Sequence, residues 1–184
     1  MSPLPPLNYL AGYPEHLVTQ VRALLEDGRL GELLRQKYPA PHAVRNDAAL
    51  YDYVSELKAR YLKNAAPLVK VAWDGKLRSL QQALGTHTKV ARVQGGKITT
   101  RREIRIATLF RDAPPEFLQM IVAHELAHLK VAGHDKAFYQ LCCRIEPHYH
   151  QLEFDVRAWL CWMDRTGEGL WSPPAGPSTE ALRG

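Results

Sequence analysis

The sequence predicts an α+β domain with N-terminal helices, a small, twisted, mainly antiparallel sheet, and C-terminal helices. Apolar residues recur at helical spacing in the first third of the chain, alternate with a period of two in the middle, and return to helical spacing at the end. A chain of 184 residues suits one domain that buries its own core. We place it at residues 16–165 (helical part 16–66, sheet and remaining helices 67–165), with an extended arm at 1–15 and a disordered tail at 166–184.

Three helices are predicted in the N-terminal part. The first begins near His16, and two glycines separate it from a second, short helix that ends near Pro39. The third begins at Asn46 or Asp47, since either side chain can cap it. Its buried face would carry Leu50, Val54, Leu57 and Tyr61.

The middle of the chain is predicted to form the sheet. Strands are expected at 68–73, 76–80, 86–93 and 98–110. Asp74-Gly75 is a turn signal that favours a hairpin between the first two strands, and the glycines at 95 and 96 mark another turn.

Three helices follow. The first begins around Pro114 and Pro115, which the first helical turn tolerates, and continues to Gly133. Asp135 can cap the second, which ends at Pro147. The last carries an apolar stripe formed by Leu152, Val156, Trp159 and Met163.

Composition predicts a cytoplasmic protein with no membrane partner. No apolar run approaches the roughly 18 residues of a spanning helix, and the first residues lack a signal-peptide pattern. Cys142, Cys143 and Cys161 form no C-x-x-C pair, which disfavours a disulfide framework or a cysteine-based zinc site.

Positive charge is concentrated in region 70–111, which contains ten basic residues and only two acidic ones. Such a surface attracts nucleic acid or an acidic substrate. A solvated sheet face is the alternative interpretation of the same charges.

The segment His124-Glu125-Leu126-Ala127-His128 indicates a metal site. Residues four apart on a helix lie about 40° apart around its axis, so both imidazoles can reach one tetrahedral ion. Glu125 follows the first ligand and would serve as the base. The alternative is a pair of ordinary helix histidines.

His134 is the candidate third ligand. On a continuous helix it would lie about 280° from His124, so the helix has to end first. Gly133 suits the left-handed turn that ends a helix, after which the chain can double back. Three histidines leave one position for water, which is the catalytic arrangement of Zn²⁺, although other divalent ions also accept this ligand set.

Two runs of the chain resemble the motifs of the YgjP-like zinc metallopeptidases: HELAHLK at 124–130 and GHDKAF at 133–138. The same residues are similar to those of the related SprT-like proteases. The resemblance covers about residues 68–163, and it implies a zincin-like fold and peptidase activity. The chain departs from the family pattern at Asp135, where the family has Ser, and at 84–86, where Leu-Gly-Thr replaces Trp-Gly-Ser.

The resulting hypothesis is a zinc-dependent metallopeptidase acting on a peptide or protein. Zinc would acidify a water towards a pKa of about 7, and Glu125 would take its proton during attack on a carbonyl. Tyr149, His148 and His150 are candidate oxyanion donors, and Glu153 would be the third ligand of a thermolysin-like site. The alternatives are a SprT-like, nucleic-acid-associated protease that docks through region 70–111, and a metal-binding module without catalysis.

Overall fold

The computed structural model describes residues 7–77, 91–94, 97–100 and 103–172. The α-helices in these segments are α1 (Glu15–Glu26), α2 (Leu30–Lys37), α3 (Asp47–Tyr61), α4 (Pro115–Ala127), α5 (Lys136–Ile145) and α6 (Tyr149–Thr166). The strands are β1 (Lys70–Asp74), β2 (Ala91–Gln94), β3 (Lys97–Thr100) and β4 (Glu103–Ala107), and 3-10 helices span Asn8–Leu10 and Thr108–Asp112. The α+β class is as predicted.

The N-terminal helices lie where the sequence places them. Of the two cap candidates for α3, Asn46 fills the role, because its Oδ1 accepts a hydrogen bond of 2.9 Å from the Ala49 N–H. Asp47 has a different function. Its Oδ1 accepts the Trp73 N–H at 2.9 Å, which attaches the start of α3 to β1.

The prediction of a mainly antiparallel sheet is wrong for the strands that support α4. β1 pairs with β4 in parallel, in a register that places Val71 opposite Ile104. Parallel strands need a long crossover connection, so the local Asp74-Gly75 turn signal did not reveal the true partner of β1. The predicted partner strand at 76–80 lies mostly outside the described residues.

The antiparallel pair within the described segments is β2 with β3. The turn predicted at 95 and 96 lies outside the described residues. The strand expected at 98–110 is divided. It forms β3 and β4, and the chain then enters the 3-10 helix Thr108–Asp112, where Phe110 is fully buried. Phe110 continues the alternation of apolar residues that predicts a strand, although its backbone already belongs to the 3-10 helix.

Helix α4 is the central helix of the domain. It contacts α3, α5, α6 and β4, and Phe117, Met120, Ile121, Val122 and Leu126 along it are almost completely buried. A helix that is apolar on every side is stable only inside a protein. The His-Glu segment is therefore carried by the most enclosed element of the fold.

The predicted arm and tail are more ordered than expected in their described parts. Leu10 is buried in the first 3-10 helix, so the arm is not simply extended. After α6, Gly167 adopts a left-handed conformation (φ 71°) and the chain returns towards α2. Leu170 and Trp171 are buried there, so the predicted disorder from 166 is wrong as far as 172, and residues 173–184 lie outside the described segments.

The three cysteines are free thiols, as expected, and Cys142 and Cys161 are buried core residues. In the described segments, no helix combines the length and the apolar character that crossing a bilayer requires.

Candidate metal centre

The His-Glu segment occupies the C-terminal end of α4, which ends at Ala127 rather than near Gly133. His128 is the C-cap residue, and the backbone continues in tight turns with Leu129 N–H donating to Leu126 O and Lys130 N–H to Ala127 O. These turns reverse the chain within six residues. The predicted left-handed Gly133 is also wrong, because that residue is absent from the positive-φ glycines of the described segments.

The reversal brings the three predicted histidines together. His128 Nε2 lies 3.2 Å from His124 Nε2 and 3.1 Å from His134 Nε2. A tetrahedral zinc ion with bonds of about 2.0–2.1 Å separates its nitrogen ligands by about 3.3–3.4 Å. The ring nitrogens of all three histidines lie within 4.8 Å of one another, so they could hold one metal ion. Three imidazoles suit several divalent transition metals, zinc among them.

Hydrogen bonds on the far side of each helix histidine fix its orientation. His128 Nδ1–H donates to Val131 O at 2.9 Å, and His124 Nδ1 lies 2.7 Å from the Tyr149 hydroxyl. Both rings thus direct Nε2 towards the same point, which is the usual arrangement around metal-binding histidines.

Exposure increases across the cluster. His124 is buried, His128 is half-buried and His134 is exposed. Within the described segments, this is the group of three or more potential ligand side chains that could hold one ion. The cluster is therefore open to solvent on the side of His134, and His124 lies at its buried end.

Phe138 forms the wall behind all three imidazoles. Its ring centroid lies 4.9 Å from that of His124, 4.3 Å from His128 and 4.8 Å from His134, and the side chain is fully buried. Asp135 caps α5 by accepting the Phe138 N–H at 2.9 Å, as predicted. The cap thereby fixes both His134 before it and Phe138 after it.

Glu125 lies next to His124 on α4. Burial raises the pKa of its carboxyl to about 8, because a low-dielectric surrounding disfavours the charged form. The residue as a whole is half-buried. A group of this kind can accept and release a proton near neutral pH, and a nearby dication would favour its ionised form.

Tyr149 does not occupy an oxyanion position. Its side chain is fully buried and its hydroxyl faces His124 Nδ1, on the opposite side of the ring from Nε2. Burial, with a contribution from Glu153, raises the pKa of Tyr149 well above its usual range, so the hydroxyl stays protonated. His148 and His150 are exposed, and the His150 ring lies beside Tyr139 with 5.3 Å between centroids.

Glu153 is not a metal ligand. Its Oε1 accepts hydrogen bonds from the Arg157 guanidinium at 2.8 and 3.2 Å, and it lies outside the three-histidine group. The roles that sequence reasoning missed are those of Val131 O, Phe138 and the Tyr149 hydroxyl. The only feature of the sequence that pointed to a role for Tyr149 was that it is an aromatic residue shortly after Pro147.

Part of the basic region is neutralised by ion pairs. Lys70 lies 3.6 Å from Glu103, and Arg105 lies 2.8 Å from Glu103 and 3.0 Å from Asp74. The backbone N–H of Lys76 and, to a smaller extent, the Arg105 guanidinium hold the pKa of Asp74 below its ordinary value. The remaining basic side chains from 78 to 102 lie outside the described residues.

Comparison with known proteins agrees with a metal-dependent hydrolase. The family model described as "YgjP-like, metallopeptidase domain" matches residues 30–158. The protein named "UTP pyrophosphatase" of Escherichia coli (strain K12) is 57% identical over 154 residues, which cover 84% of this chain and 92% of that protein. No solved structure matches the chain. The chain therefore belongs to the YgjP-like metallopeptidase-domain family.

Proposed function

We propose that this protein is a zinc-dependent hydrolase that cleaves UTP with release of pyrophosphate. The proposal that UTP is the substrate rests on the 57% identity to the protein named UTP pyrophosphatase, over 92% of that protein's length. Support for hydrolysis comes from the convergence of His124, His128 and His134 beside Glu125.

The residues of the site fit such a reaction. A divalent cation at the three imidazoles would supply a Lewis acid that acidifies a water and polarises a phosphoryl oxygen. Glu125 would take the proton of the attacking water. The water oxygen bonds to the α-phosphorus, the bond from that phosphorus to the oxygen bridging the α- and β-phosphates breaks, and UMP and pyrophosphate leave.

The charge of the chain favours a polyanionic substrate. Region 70–111 carries ten basic residues against two acidic ones, and the whole chain has a formal charge of +5. Lys70 and Arg105 are partly neutralised by ion pairs, so phosphate binding would depend mainly on the other basic residues of this region. The positive electrostatic field of these residues would attract a nucleoside triphosphate to the protein before any specific contact forms.

Peptide hydrolysis is the second candidate. The favouring observation is the order His124-Glu125-x-x-His128, which serves carbonyl hydrolysis in zinc proteases, together with the metallopeptidase domain model. The same base and cation would act on a carbonyl instead of a phosphoryl group. In a SprT-like version, region 70–111 would dock nucleic acid, and binding would then weaken steeply between low and moderate salt.

The deciding experiment supplies both substrates to one zinc-loaded preparation. UTP products are separated by chromatography, while a peptide mixture is followed by mass spectrometry in parallel. We expect UMP and pyrophosphate in equal amounts, and no turnover by a His124→Ala/His128→Ala double variant. Formation of UDP and phosphate would contradict the pyrophosphatase assignment. Peptide cleavage without UTP turnover would establish the second candidate, and a zinc-loaded protein inert towards both would indicate a non-catalytic metal module.

A further inference from the structure

Partly exposed aromatic rings continue outwards from the open side of the metal centre. His134 is the exposed member of the three-histidine group, and the Tyr139 ring lies 6.4 Å from it between centroids, tilted by 40°. The His150 ring follows, 5.3 Å from the Tyr139 ring and tilted by 38°. The three rings therefore form a row that begins at a candidate metal ligand and ends in solvent.

The two outer rings of this row come from different helices. Tyr139 lies near the start of α5, and His150 is the second residue of α6. The Tyr139 side chain is half-buried and His150 is exposed, whereas the neighbouring Phe138 is fully buried. Sites for small organic ligands are lined mainly by apolar and aromatic side chains. Tyr139 and His150 supply such a surface directly beside the cluster.

The Tyr139 ring is held in place on its inner side. The Phe138 ring meets it almost at a right angle (81°) with 5.2 Å between centroids, and the Tyr149 ring lies 6.2 Å away. Both of these neighbours are fully buried. The orientation of Tyr139 is therefore set by the core before any ligand arrives, which lowers the cost of ordering the site on binding.

A nucleotide has the shape that this arrangement fits. When its α-phosphate is at the three histidines, its base lies one ribose away, and the row of rings extends away from His134 by two ring-to-ring steps. Bases stack on tyrosine and histidine side chains because every base has a flat π face. A peptide has no flat ring at a fixed distance from the bond that is cleaved.

We propose that Tyr139 and His150 form a stacking platform for the uracil ring of UTP. This inference rests on the proposed function, because the platform has no role in a reaction on a substrate without a base. Stacking acts on the base and not on the reacting phosphorus. It therefore strengthens the binding of UTP and of the product UMP, and leaves the binding of pyrophosphate unaffected.

The platform is tested by the affinity of the zinc-loaded protein for UMP and for pyrophosphate, measured by calorimetry. Losing one stacking partner typically weakens binding about 5–150-fold, which we expect for UMP with Tyr139→Ala. His150→Ala should cause a smaller loss because this ring is the outer one, and Tyr139→Phe should cause none because it keeps the ring. Pyrophosphate affinity should stay constant in all three variants.

Turnover and a matched tyrosine complete the experiment. The KM for UTP of Tyr139→Ala should rise with little change in kcat, because stacking stabilises the ground state and the transition state alike. Tyr51→Ala is the control, since Tyr51 is a tyrosine on α3 with 40% of its surface exposed, and its UMP affinity should equal that of wild type. Zinc content is determined on every sample.

The outcomes separate the platform from the proposed function. A wild type that does not turn over UTP would overturn both. A wild type that turns over UTP, with a Tyr139→Ala variant that binds UMP equally well, would overturn the platform alone. The platform alone also falls if Tyr139→Ala weakens pyrophosphate binding as much as UMP binding, or loses zinc, since the effect would then come from the metal centre.

Discussion

His128 and His134 approach each other with their Nε2 atoms 3.1 Å apart, although a reversal of the chain separates them. His128 is the C-cap of α4, whereas His134 precedes the cap of α5. Because Val131 O takes the Nδ1–H of His128, the Nε2 atom of that ring presents a lone pair to its neighbours. A divalent cation between the rings could be bound by all three residues at once.

Zinc should therefore stabilise the fold, and His134→Ala should remove most of that stabilisation. A ligand that binds only the folded state adds about 2.7 kcal/mol to the free energy of unfolding at a concentration of 100 Kd. The measurement is urea unfolding with and without zinc. His150→Ala is the control, because His150 is exposed and lies outside the cluster. A His134→Ala protein that keeps the full zinc effect would show that this residue is not a ligand.

Glu125→Gln should retain zinc and lose hydrolysis. The substitution preserves the shape of the side chain but removes the base, and general base catalysis typically contributes about 10²–10⁴-fold to the rate. The measurement is kcat for UTP at saturating zinc, with metal content determined on the same sample. Glu116→Gln at the exposed start of α4 is the matched control and should leave kcat unchanged. Unchanged turnover by Glu125→Gln would exclude it as the base.

The parts of the structure that the sequence predicted are those encoded locally. Asn46 and Asp135 cap helices through hydrogen bonds to residues three positions later, so the signal and its partner lie in one short segment. The same holds for His124 and His128, which are one helical turn apart. His134 lies beside His128, as the expected reversal of the chain requires, although the turns that bring it there begin at His128 rather than at Gly133.

The parts that the sequence missed depend on distant partners. β4 begins 29 residues after β1 ends, and no local pattern specifies a parallel pairing across that distance. Tyr149 reaches His124 across 25 positions and through the packing of α6 against α4. The early end of α4 was missed because the hydrogen bond from His128 to Val131 O exists only after the chain has turned.

The metal-free protein should lose stability as the pH falls, partly through His42. This buried imidazole donates from Nε2 to Phe110 O at 2.7 Å and accepts the Val44 N–H at Nδ1 at 3.0 Å, so the neutral ring satisfies both partners. Burial lowers its pKa below the ordinary value of 6.5, with Arg45 acting in the same direction, against the opposing effects of Phe110 O and Asp112.

The sign of this effect follows from proton binding. Below about pH 6.5 the unfolded chain binds a proton at His42 that the folded protein excludes, so the free energy of unfolding decreases as pH falls through that window. In a His42→Gln variant this contribution is absent. The difference in unfolding free energy between wild type and variant should therefore shrink between about pH 7 and pH 5. A His16→Gln variant at an exposed position serves as control, and a constant difference for His42 would contradict the assignment.

Trp171 should be essential for stability although it lies beyond α6. Its ring packs against Phe117 and Trp159 with centroid distances of 5.6 and 5.5 Å, and its indole N–H donates to Tyr38 O at 2.7 Å. Removing a buried tryptophan typically costs about 3–5 kcal/mol, because the cavity closes only partly. We expect Trp171→Ala to lower the free energy of unfolding by this amount in urea titrations. Trp171→Phe keeps an aromatic ring but loses the donor, so its loss should be smaller; equal losses would mean that packing against Phe117 contributes little.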